Sequence, residues 1–179
     1  MKLIKLGVLS LIFFSGIYSC SSVEPSLSES SPVAVDSIFP TWYQTSESAF
    51  DSVSYSGFAT AIASDSIKAI ERAEDQARIN LERRIAQITE EIRTDMEESG
   101  STDATNTDFI IILRTAHYAI EKEASSQQTL AKNIDGHYRG FASVSISREE
   151  IKSILEEGFT GHPRYWGAFS SSDSFKAFF

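Results

Sequence analysis

"IKAIERAEDQARINLERRIAQITEEIRTDM", Ile67 to Met96, decides how this chain folds. Ile67, Ile70, Ala73, Ala77, Leu81, Ile85, Ile88, Ile92 and Met96 follow one another at intervals of three or four. Eight steps over 29 residues give a mean of 3.6, the period of a straight α-helix. At 1.5 Å per residue such a helix is about 45 Å long. A coiled-coil seam would repeat every 3.5 residues and would not fill its first half with alanine. Alanines let a helix lie close to a sheet, so the stripe is expected to pack on a core. An intermolecular seam along its distal half is the alternative. Ser64, Asp65 and Ser66 offer an N-cap, and Ser99-Gly100 ends the helix.

Upstream, "VSYSGFATAIA" (Val53 to Ala63) alternates around Tyr55, Phe58 and Ile62 and reads as a strand. Gly57 interrupts it and marks either a bulge or a close backbone approach. Downstream, "STDATNTD" (Ser101 to Asp108) reads as a solvated loop that caps the next helix. Its Asp103, Asn106 and Asp108 lack the spacing and central glycine of a calcium loop. Asp108 to Ala124 is expected to be a second helix through Phe109, Ile112, Ala116 and Ile120, although "FIIIL" alone also suits a buried strand. Two strand-like runs then flank Asp135-Gly136, a favoured two-residue hairpin turn. In the second run Tyr138, Gly140, Ala142, Val144 and Ile146 share one face. Ser147 and Glu150 form a capping box for a short last helix, Arg148 to Glu157. "YSGFA" at Tyr55 to Ala59 recurs as "YRGFA" at Tyr138 to Ala142, which predicts neighbouring strands with Gly57 and Gly140 at equivalent approaches to a helix. The expected fold is α+β: a three-stranded antiparallel sheet packed against one long helix. A second helix, a short C-terminal helix and an aromatic tail complete it.

The 179 residues suit about one domain, 41% of them hydrophobic and 23% charged. A net charge of −9 argues against nucleic acid and against adhesion to an anionic bilayer by charge alone. One cysteine makes neither an internal disulfide nor a thiolate cluster. His117, His137 and His162 have no metal-ligand spacing. The doublets Glu90-Glu91, Glu97-Glu98, Glu149-Glu150 and Glu156-Glu157 sit on helices, where adjacent side chains diverge, so they read as solvated faces. The sequence carries no Gly-x-Ser-x-Gly, P-loop or dinucleotide fingerprint. The expectation is a non-enzymatic protein with no catalytic residues, cofactor or metal.

At the N-terminus, Lys2 and Lys5 precede an apolar core, Leu6 to Phe14, too short to span about 30 Å of hydrocarbon comfortably. Residues 1–19 therefore read as a signal peptide. Ile17-Tyr18-Ser19-Cys20 resembles a bacterial lipobox, with Tyr18 bulkier than usual, and makes Cys20 the candidate lipidation site. An ordinary secretory signal with a chance cysteine is the alternative. Three acyl chains on Cys20 would anchor the protein far more firmly than one. Ser21 and Ser22 suit an outer-membrane address, and loss of Lys2 and Lys5 would take the charge from −9 to −11. The Ser/Pro-rich stretch within residues 20–39 reads as a flexible tether.

This order of parts resembles the LPP-twenty family of bacterial outer-membrane lipoproteins. The resemblance rests on Pro40-Thr41-Trp42-Tyr43, on the Tyr55–Ala59 strand, and on the alanine-rich helix from Ala69 to Ile88. It covers about Pro40 to Ile146 and departs at the 101–108 loop and the aromatic tail. It implies a small α+β domain, residues 40–158, that packs into envelope assemblies, with no catalytic residues to carry over. In the tail, residues 159–179, Tyr165, Trp166, Phe169, Phe175, Phe178 and Phe179 have two readings. They fold back onto their own domain, or they dock on a partner protein or the membrane interface. The expected function is a lipid-anchored structural or assembly module of the outer membrane, facing the periplasm or the surface. It would self-associate or bind other envelope proteins. A periplasmic lipoprotein that binds a small ligand or peptidoglycan fragment is the alternative.

Overall fold

The computed structural model describes residues 38–179. The signal peptide, Cys20 and nearly all of the tether lie outside the described residues.

The periodic stretch forms one helix, α1, Ser66–Glu98. Asp65 caps its start by accepting the Lys68 N–H at 2.8 Å. Gly100, at φ 84°, lets the chain fold back so that Gly100 N–H donates to the Glu97 carbonyl and Ser101 N–H to the Met96 carbonyl. That Schellman closure satisfies carbonyls a helix end leaves free. The buried stripe runs Ala69, Ala73, Ala77, Leu81, Ile85, Ile88, Ile92, Met96. Ile67, expected to head the stripe, is 68% exposed. The reason is local: at this end the helix backbone touches the sheet, and an alanine fits where an isoleucine does not.

Four strands, one more than expected, make the sheet. They are β1 (Ser48–Phe50), β2 (Ser54–Ala63), β3 (Ser125–Ile134) and β4 (His137–Ser147), in the order β1-β2-β4-β3 with every pairing antiparallel. The missed strand β1 has three residues in a Ser/Glu-rich run. It exists through pairing with β2 and the stacking of Phe50 on Tyr55, with ring centroids 5.6 Å apart. The two sequence echoes are central neighbours, as expected. A Cβ at Gly57 would collide with the Ala77 carbonyl and Leu81, and one at Gly140 with the Ala69 carbonyl. Both glycines therefore mark close approaches to α1, and Gly57 is not a bulge. The bulge falls between Ser126 and Gln128 in β3. The β3–β4 turn has both central residues at positive φ, Asp135 at 52° and Gly136 at 81°.

The second helix, α2, spans Thr107–Glu123, capped by Asn106, whose side chain accepts the Asp108 N–H at 2.8 Å. It buries Phe109, Leu113, Ala116 and Ile120, while Ile112 is only partly covered. Arg78 of α1 donates to the carbonyls of Glu121 and Ala124 at its C-terminus, where a cation suits the helix dipole. The 101–108 segment is not wholly solvated: a 3-10 turn, Thr102–Thr105, buries Asp103 and Ala104. After β4, Ser147 accepts the Glu150 N–H at 3.1 Å and starts α3, Arg148–Gly158. This is not the last helix, for α4 (Pro163–Ser171) and α5 (Asp173–Phe178) follow it.

The helices lie against one face of the sheet. On the other face Phe39 and Tyr43 pack on Phe141, at 5.8 and 5.3 Å between centroids, and Tyr43 also meets Phe58. The Pro40–Tyr43 motif thus seals part of the outer face and leaves the rest open.

Candidate functional site

The aromatic tail becomes two short helices against the distal end of α1. Pro163 stands at the first position of α4, where a missing N–H costs nothing. Ser172 caps α5 by accepting the Phe175 N–H at 3.1 Å. Phe159 and Phe169 lie 5.6 Å apart, and both rings meet Phe109 of α2, at 5.3 and 5.8 Å. Phe175 continues the stack against Phe169 at 5.3 Å and Trp166 at 5.5 Å, and Phe179 closes on Phe175 at 5.3 Å. Three polar ties hold this layer. The Tyr55 hydroxyl donates to the Phe178 carbonyl at 3.0 Å. Asp95 of α1 accepts the Ser174 N–H at 3.1 Å, and Arg164 grips the Asp103 carboxylate with two donors.

Of the six aromatics that sequence proposes for partner binding, Phe169 is fully buried in its own domain, and Phe175 is buried apart from an edge on the groove described next. Tyr165, Trp166, Phe178 and Phe179 are half-buried, and each presents an edge. Trp166, Phe175 and Phe179 line one wall of an open groove of about 520 Å³ whose rim carries Lys152, Glu156 and Lys176. Sequence reasoning missed the lysines because they belong to separate helices. Pro163 and Ser172 were the available signals for α4 and α5.

A second groove, of about 560 Å³, runs between α1 and α2 past Glu82, Thr89, Arg93, Arg114 and His117. The His117 Nε2 lies 2.7 Å from the Thr89 hydroxyl, which itself donates to the Ala86 carbonyl at 3.1 Å. Burial, aided by the Arg114 charge, pushes the His117 pKa down to about 4, so it is neutral at pH 7. Burial first, then the like charge of Glu121, raises the Glu82 carboxyl against an opposing pull from Arg83. Arg93 bridges Glu90 and Glu97 on the same helix, and its hydrogen bonds hold Glu90 below the usual carboxylate range.

His137 starts β4 on the surface, and His162 stacks on Tyr165 at 5.5 Å. The three histidines are not brought together, and the glutamate doublets are all exposed. Among the described residues no group of three or more His, Cys, Asp or Glu side chains is placed to hold a metal ion, and no helix is long and apolar enough to cross a membrane. No protein-family model, no curated protein and no solved structure matches this chain.

Proposed function

We propose that this is a lipid-anchored, non-enzymatic structural or assembly module of the outer membrane. Cys20 is its attachment point, and the resemblance to the LPP-twenty lipoproteins supports the same reading. The observation that carries the assembly role is the groove beside the tail, where Trp166 and Phe179 edges stand between Lys152 and Lys176. An amphipathic aromatic wall with charged rims is the chemistry of a protein contact. The occupant is a second copy of the chain or another envelope protein.

Two experiments test this reading. Cys20→Ala should release the protein from cell membranes; unchanged partition together with no lipid label refutes the anchor. Photo-crosslinkers at Trp166 and Phe179 in intact cells should capture discrete partners or a ladder of the chain itself. A strictly monomeric protein with no crosslinks from either position removes the assembly role. The α1–α2 groove favours a second reading, a lipoprotein that binds a small ligand or peptidoglycan fragment. Muropeptides that fail to raise the melting temperature count against it.

A further inference from the structure

The outer face of the sheet differs in charge from the rest of the molecule. Strand register stacks its side chains in cross-strand rows: Ile62, Arg139 and Lys132 in one, Thr60, Phe141 and Leu130 in the next. β2, β3 and β4 direct no Asp or Glu to this face. Among the described residues most of the acids lie instead on the helices of the opposite layer. Large apolar side chains stay uncovered beside the two cations: Ile62 is 53% exposed and Leu130 37%. The described chain starts at the same face, with Phe39 against Phe141 and Trp42 beside Tyr43. Seventeen residues separate Cys20 from Ile38. Fully extended they reach at most about 60 Å, so an anchor at Cys20 keeps the face within reach of its bilayer.

We propose that this outer sheet face rests on the headgroup region of the bilayer that holds the anchor. Arg139 and Lys132 meet anionic headgroups, while Ile62, Leu130 and the Phe39–Trp42–Tyr43 segment enter the interface. Aromatic, aliphatic and basic side chains in one patch suit that zone. Two cations near an anionic surface attract it too weakly to hold the free acidic chain. Tethering raises the effective concentration and makes so weak a contact count. The orientation turns the acidic helices away from the lipid and the Trp166 groove toward the aqueous side. The inference deepens the proposed anchoring at Cys20.

The test replaces the biological lipid with a chemical one, so it does not depend on processing in cells. The chain from Cys20 onward is coupled through that single thiol to maleimide lipid in phosphatidylcholine vesicles with about a quarter phosphatidylglycerol. Trp166→Phe leaves Trp42 as the reporter, and Trp42→Phe leaves Trp166. With headgroup-proximal doxyl lipid, Trp42 should be quenched about twofold more than Trp166. The double variant Lys132→Glu, Arg139→Glu should abolish the difference, and so should Ile62→Glu if the double variant does not fold. Equal quenching of both tryptophans, or stronger quenching of Trp166, overturns the proposal. So does concentration-dependent shielding of Trp42 from acrylamide in the uncoupled chain, which assigns the face to a second copy. Failure of Cys20→Ala to release the protein in cells would overturn the anchor alone and leave these outcomes standing.

Discussion

The two halves of α1 are packed by opposite means. From Ala69 to Ala77 the helix backbone lies on the backbone of β2 and β4, through alanines above Gly57 and Gly140. From Leu81 to Met96 bulky side chains interlock with Phe109 and the aromatic layer of α4 and α5. In the first half stability depends on the absence of side-chain volume, in the second on its presence. One helix therefore answers oppositely to the same change of size along its length.

The distal half should suffer most from truncation. Phe169→Ala removes the centre of the aromatic stack and should cost about 3–5 kcal/mol in urea unfolding. A cost below about 1 kcal/mol would mean that the layer does not close the core. The next effect is one of pH. Burial holds the His117 pKa down at about 4 in the folded state, against 6.5 for a free imidazole. A folded state that resists protonation loses stability as pH falls from 6.5 towards 4 and keeps it above 6.5. The loss should be on the order of 2–3 kcal/mol, visible as the difference between the pH profiles of the parent and His117→Gln. Parallel profiles would place His117 in solvent.

The alanine half should respond to enlargement. Gly140→Ala sets a methyl against the Ala69 carbonyl and should destabilise by about 1–3 kcal/mol, although alanine suits a strand better than glycine does. A neutral or stabilising result would break the contrast between the halves. The smallest effect belongs to the Arg164–Asp103 bridge. Its arginine side chain is 75% exposed, so Asp103→Ala should cost about 1 kcal/mol or less.

Legibility followed the range of the cause. The α1 stripe, the Asp135-Gly136 turn and the Ser147 cap depend on neighbours within a few residues, and all three were readable. The pairing of β2 with β4 was readable for a rarer reason: Gly57 and Gly140 meet the same helix and Phe58 and Phe141 meet Tyr43 on the other face, so both strands carry Tyr-x-Gly-Phe-Ala. β1 was not readable, because three exposed residues become a strand only when β2 lends them hydrogen bonds. Buried Asp103 looked like a solvated loop residue because its partner stands 61 positions away. The tail's aromatics left burial and docking on a partner both open, and their division into buried Phe169 and Phe175 and half-exposed Trp166 and Phe179 depended on where α4 and α5 landed.

By itself the sequence determined the α+β class, the long helix with its caps, the hairpin, and the two glycines that admit that helix to the sheet. These follow from backbone conformational limits and from periodicities of 3.6 and 2, which act along the chain. Only the tertiary structure decided that the sheet has a fourth strand, that the tail completes the core, and that Lys132, Arg139 and uncovered apolar groups gather on one face to which β2, β3 and β4 contribute no acid. Such groupings join residues far apart in sequence, and no local rule encodes which of them will meet.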